Sequence, residues 1–164
     1  MGWLTVKLLA YVSGALLLAC ILLSAALYAS RAQNVALQAT HAAEKATAAQ
    51  LAELHDIVVE MEKTLAADDL LGHLPLVGRF HQRMIEMAGN EFIEQFLSML
   101  RAPLIRHQFR VILVPGRKDE SLAEHREILS YLTGRDATGA ERAMRRHIAA
   151  LRNSLQQANH PFIA

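Results

Sequence analysis

GAERAMRRHIAAL, residues 139–151, decides the fold class. Placed on a helix, Ala140, Met144, Ile148 and Leu151, continued by Leu155, recur at three- and four-residue spacing and form one apolar stripe. His147 falls inside that stripe, between Met144 and Leu151. An imidazole turned toward a core needs partners for its ring nitrogens. Arg142, Arg145 and Arg146 form a small basic cluster that reads as a solvated helix face.

The pattern recurs twice upstream. Leu122, Ile128, Leu129 and Leu132 define an inner face that also holds His125. Leu76, Val77, Phe80, Met84 and Ala88 define another, with His81 beside it. Three helices each aim one imidazole inward. A single inward histidine is more often a hydrogen-bonded core residue, and converging imidazoles cannot all be charged cheaply. A divalent metal would resolve both demands, because neutral imidazole is a common ligand. Histidines 41, 55, 73, 107 and 160 show no such convergence and read as surface or structural.

Helix boundaries follow from caps. Thr47 with Gln50 forms a capping box that starts the second helix of the soluble part, after an alanine-rich first helix ending near Ala46. Asp68 or Asp69 caps the third, which continues past Pro75 to Ala88 and stops at Gly89. Asn90 opens a fourth that runs toward Val114, kinked at Pro103 and ended by Pro115-Gly116. Ser121 with Glu124 and Thr138 with Glu141 read as capping boxes for the last two, separated by Thr133-Gly134. Short loops and repeated amphipathic faces predict an all-α, antiparallel helical bundle.

Composition agrees. The chain has 164 residues, enough for one ordinary domain, and is 52% apolar with few aromatics. Without Lys7, the lone charge before residue 31, the rest balances 16 acidic side chains against as many basic ones. A balanced bundle has no electrostatic footprint for nucleic acid. The one cysteine, Cys20, excludes an intrachain disulfide. Residues 8–28 carry no charge and are long enough to cross about 30 Å of hydrocarbon, with Trp3 and Tyr28 at the ends. The expectation is a membrane-spanning helix before the bundle. A cleaved signal peptide at Ser24-Ala25-Ala26 and a lipoprotein signal ending at Cys20 are alternatives. The chain thus divides into a hydrophobic segment at 1–28, a bundle at 29–157 and a tail at 158–164. The expected location is a membrane anchored through residues 8–28, with the bundle on the cytoplasmic side.

AAEKATAAQLAEL, RFHQRMIEMAGN, VPGRKDESLAEHREIL and GAERAMRRHIAAL, in this order and spacing, resemble the FCD domain. That is the C-terminal effector-binding domain of the FadR subgroup of GntR transcriptional regulators. The resemblance covers about Tyr28 to Leu155. It implies a bundle of six or seven helices, commonly a homodimer, and a zinc or nickel ion held by one Asp and three His. The histidines correspond to His81, His125 and His147, which periodicity also selects. A small organic acid usually completes the site, its carboxylate reaching the metal. Three departures stand out. Val77 occupies the position of the family's metal-binding Asp, and Val35 that of an acid four residues after Arg31. Arg31 matches a family arginine directed at the effector, and Arg106 is a second candidate carboxylate clamp. The winged helix-turn-helix that precedes the domain in the family is expected to be missing, so direct nucleic-acid binding is not carried over.

The sequence therefore points to a non-enzymatic, metal-dependent sensor of a small organic acid, derived from a GntR/FadR-type regulator. Its rivals are a metal-free helical interaction module, a truncated or mis-assigned regulator fragment, and a hydrolytic metalloenzyme. The enzyme ranks last, because no acid is placed as a general base on the histidine stripes.

Overall fold

The computed structural model describes residues 36–89 and 110–159. Every regular element among them is a helix: α1 over 36–45, α2 Ala48–Ala66, α3 Leu70–Ala88, helical residues at 110–112, α4 Arg117–Thr133 and α5 Ala137–Asn159. The fourth helix expected from Asn90, with its kink at Pro103, falls almost wholly outside the described residues. The 1–28 segment lies outside them entirely, and of the expected 158–164 tail the first two residues belong to α5 while 160–164 lie outside.

The alanine-rich start of the domain works through size. Ala36, Ala39, Ala42, Ala43 and Ala46 are all buried, and side chains this small let α1 approach its neighbours closely. The expected capping box then opens α2. Thr47 Oγ1 accepts from the Gln50 backbone N–H at 3.2 Å, and Gln50 Oε1 accepts from the Thr47 N–H at 2.8 Å. Replacing Thr47 with Ala removes one of these bonds and should cost about 1 kcal/mol, read as a lower urea midpoint. Asp69 caps α3 by accepting from the Gly72 N–H, and Gly89 ends it at φ 65°, a left-handed position suited to glycine.

Side-chain pairs fix the directions. Met61 meets His73 and Glu53 meets Arg83, so α3 runs antiparallel to α2. Glu62 pairs with Arg126 and Asp68 with Lys118, so α4 also runs against α2. Residues 134–136 join α4 to α5, which pack together as a hairpin, with Arg146 of α5 paired to Glu127 of α4. The core between these helices is made of Leu54, Met61, Phe80, Met84, Ile128, Leu132 and Met144, all fully buried.

Two helix starts differ from expectation. α4 begins at Arg117 rather than Ser121. Gly116, at φ 77°, takes the cap position without any side-chain bond, and Asp119 and Glu120 place negative charge in the first turn. α5 begins at Ala137, because Asp136 Oδ1 accepts from the Gly139 N–H at 2.8 Å; Thr138 therefore lies within the first turn. Arg145 and Arg146 pair with Glu141 and Glu127 on the exposed face, as the solvated-face reading expected.

The membrane-anchored location is corrected. Among the described residues no helix is long and apolar enough to cross a membrane. Charged side chains such as Glu53 and Glu62 of α2, Arg126 of α4 and Arg146 of α5 lie on the outer faces of their helices. The 8–28 stretch on which that expectation rested lies outside the described residues.

Candidate metal and effector site

α3, α4 and α5 bring His81, His125 and His147 together. One ring nitrogen from each lies within 4.8 Å of the others. Ring centroids stand 5.1 Å apart for His81–His125 and His81–His147, and 4.7 Å for His125–His147. Phe80 presses edge-on against His125 and His81, with centroids at 4.8 and 5.6 Å. Convergence follows from the stripes: His125 and His147 are buried on theirs, half-buried His81 lies at the edge of its own, and one ring nitrogen of each reaches the others.

Hydrogen bonds assign the ring nitrogens. His125 Nδ1 lies 2.6 Å from the Ser121 carbonyl, which can only accept, so this nitrogen carries the proton. Its Nε2 is then a lone-pair donor, 3.2 Å from His81 Nε2. His147 Nδ1 donates to Glu124 Oε2 at 2.7 Å, which leaves His147 Nε2 free. The same Glu124 oxygen accepts from Arg117 Nη2 at 2.7 Å. Glu124 thus fixes the tautomer of His147, as a carboxylate behind a metal-bound imidazole does.

This donor set fits zinc. Zn–N bonds of about 2.0–2.1 Å in a tetrahedron imply N···N edges of about 3.3 Å, close to the His81–His125 spacing. With His125 Nε2 bearing the lone pair, His81 Nε2–H donates to it; for His81 to ligate through Nε2, its one proton would have to sit on Nδ1 instead. A Glu124→Gln variant keeps the shape but loses the charge behind His147, and zinc affinity should fall about 10–100-fold in a competition titration.

Burial disfavours charge here. Desolvation, then the charge of His147, holds His81 down to about 3 from its ordinary 6.5. Burial also takes His125 well below the ordinary value, with His147 and His81 adding to the effect. Glu124 is pushed up by burial, but hydrogen bonds from His147 and Arg117 outweigh this and its carboxyl ends below the usual range. The sign for stability follows. Between pH 6.5 and about 3 the unfolded chain binds protons that folded His81 refuses, so the fold loses stability on acidification. Urea midpoints of the metal-free chain should fall steadily across that window.

Beside the histidines lies a recess of about 50 Å³. Leu74, Val77, Val111, Ile112 and Leu151 form its apolar wall; His81, His147, Ser121 and Arg117 supply its polar groups. Val77 is buried on this wall, where the resemblance implies an Asp. Arg31 and Arg106, the expected carboxylate clamps, lie outside the described residues. Arg117 and Glu124 were missed from sequence. The signal that finds them is the helical period once α4 starts at 117, since Arg117, Ser121, Glu124 and His125 then share one stripe. Of the histidines set aside, His55 is exposed, while His73 is buried, with Nδ1 at 3.2 Å from the Met61 carbonyl and 3.1 Å from Thr64 Oγ1.

Residues 34–150 match the family model of the FCD domain. A solved structure of Streptococcus agalactiae GntR is similar at 29% sequence identity and a TM-score of 0.64, over 78% of this chain. The chain spans 57% of the length of that structure. No curated protein matches it.

Proposed function

The chain belongs to the FCD domain family, and from that premise we propose that it is a regulatory, effector-binding domain in which a metal ion at His81, His125 and His147 receives a small organic acid. The observation that carries this reading is the meeting of three imidazoles, one ring nitrogen of each within 4.8 Å of the others, with His81 and His147 lining a recess with apolar walls. When bound, a zinc or nickel ion would supply positive charge and an open coordination position. The chain's own residues do the rest. Glu124 and the Ser121 carbonyl fix the ring tautomers, Phe80 walls off the far side, and Val77 adds no negative charge where the family has Asp. Three neutral ligands leave the ion's charge undiminished, which favours an anionic effector over a neutral one.

The acid acts by preferring one packing of α3, α4 and α5, since a ligand shifts an equilibrium only by its differential affinity. Self-association as a homodimer is a further part of the proposal. An enzymatic role has less support. Glu124 stands close to His147, contrary to the expectation that no acid lies near, but it is bonded to both His147 and Arg117 and does not line the recess.

The test uses the full chain loaded with zinc and titrated calorimetrically with citrate and L-malate. Saturable binding that disappears on chelation with EDTA supports the reading. A zinc-loaded chain that binds neither acid overturns it.

A further inference from the structure

Arg117 is unusual in its surroundings. It is only 2% exposed, yet its Nε and Nη1 have no hydrogen-bond partner. Nη2 alone is satisfied, by Glu124 at 2.7 Å; Glu120 approaches Nη1 no closer than 3.9 Å, beyond hydrogen-bond range. Buried polar groups are normally paired, and a buried cation with most of its N–H groups empty is costly. Such a cost makes sense where an incoming group supplies the missing acceptors. Arg117 lines the same recess as His81 and His147. Its distance from the histidines is bounded, because one Glu124 oxygen lies 2.7 Å from Arg117 Nη2 and 2.7 Å from His147 Nδ1.

We propose that Arg117 is the second anchor of the effector site: it binds one carboxylate of a short dicarboxylic acid whose other carboxylate lies at the three-histidine centre. The proposal rests on the effector reading above and narrows it. Guanidinium edges match a carboxylate in shape and charge, and the resulting bonds are among the stronger ones available. Glu124 takes one of the two Nη2 hydrogens, so an incoming carboxylate would pair one unfilled nitrogen with the remaining Nη2 hydrogen along a single guanidinium edge. Glu124 holds the guanidinium plane steady. Apolar neighbours such as Val77 and Ile112 keep water away, which strengthens a carboxylate–guanidinium pair at the recess wall. The chemistry selects two anionic ends a few atoms apart. A monoacid of equal length would reach the histidines and leave Arg117 unfilled.

Succinate and propionate provide the comparison, since they share a three-carbon stretch and differ by one carboxylate. Both are titrated into the full, zinc-loaded chain and into Arg117→Gln and Arg117→Lys, with zinc content measured in each. The wild-type chain should prefer succinate by about tenfold or more. Arg117→Gln should lose that preference while keeping its zinc and its propionate affinity. Arg117→Lys keeps the charge without the fork and should retain only part of the preference, which provides a reading if the glutamine variant does not fold. Equal binding of the two acids by the zinc-loaded wild-type chain overturns this proposal and leaves the metal reading standing. So does an undiminished preference in folded Arg117→Gln. The titrations repeated with EDTA separate the other failure: an Arg117-dependent preference surviving without metal sinks the metal reading and sustains the anchor. If neither acid binds in either condition, the anchor is overturned.

Discussion

Zinc added to the metal-free chain should raise its thermal unfolding midpoint by about 10 °C or more, and His125→Ala should abolish the rise. The magnitude comes from linkage. An ion present at about a thousand times its dissociation constant stabilises the folded state by about 4 kcal/mol. For a chain of this size each kcal/mol moves the midpoint by about 2–4 °C. His125 is the right residue to remove, because its Nε2 is 3.2 Å from His81 Nε2 and its Nδ1 is held by its own helix. The variant will also melt lower without zinc, since a fully buried ring has been deleted. The diagnostic quantity is therefore the zinc increment and not the absolute midpoint. His147→Ala should behave alike from a different helix, which separates ligand loss from damage confined to α4. A wild-type midpoint unmoved by excess zinc would leave the three rings as core residues, with His81 and His125 satisfied by their mutual hydrogen bond.

Much of this site can be read from the sequence, and the limits of that reading have a physical cause. His81, His125 and His147 are legible because an imidazole within an apolar stripe violates the helical pattern, and three violations on three helices point to a common centre. The α2 and α3 boundaries are legible because Thr47, Asp69 and Gly89 cap through recognisable chemistry. Arg117 and Glu124 are hidden by the start of α4. Gly116 caps that helix with backbone conformation alone, which leaves no Ser, Thr or Asp to mark the spot. Ser121 and Glu124 then imitate a capping box one turn too late, and the imitation places Arg117 in a loop. In the fold Ser121 instead offers its carbonyl to His125, and Glu124 bridges His147 and Arg117. The residues misread as a cap are the ones that orient the site.

Phe80→Ala should destabilise the chain by about 3–5 kcal/mol, the largest loss expected from any single truncation in this core. Phe80 is fully buried and touches both the apolar core and the site. Truncation removes its transfer free energy and opens a cavity that α3 and α4 cannot collapse into without moving His81 and His125. Against a total stability of about 5–15 kcal/mol for an ordinary domain, that loss brings the metal-free chain close to unfolding at room temperature. Urea denaturation checks it: the midpoint should drop sharply with little change in slope. Phe80→Leu keeps most of the volume and should cost far less. That milder variant also distinguishes packing from positioning. Its ring edge is gone, so nothing rigid stands against the His125 and His81 planes, and the imidazoles gain freedom that zinc must then remove on binding. Zinc affinity should therefore fall in Phe80→Leu even where stability is nearly restored. An unchanged affinity would mean that the imidazoles are held by Ser121 and Glu124 alone, with Phe80 contributing only to the core.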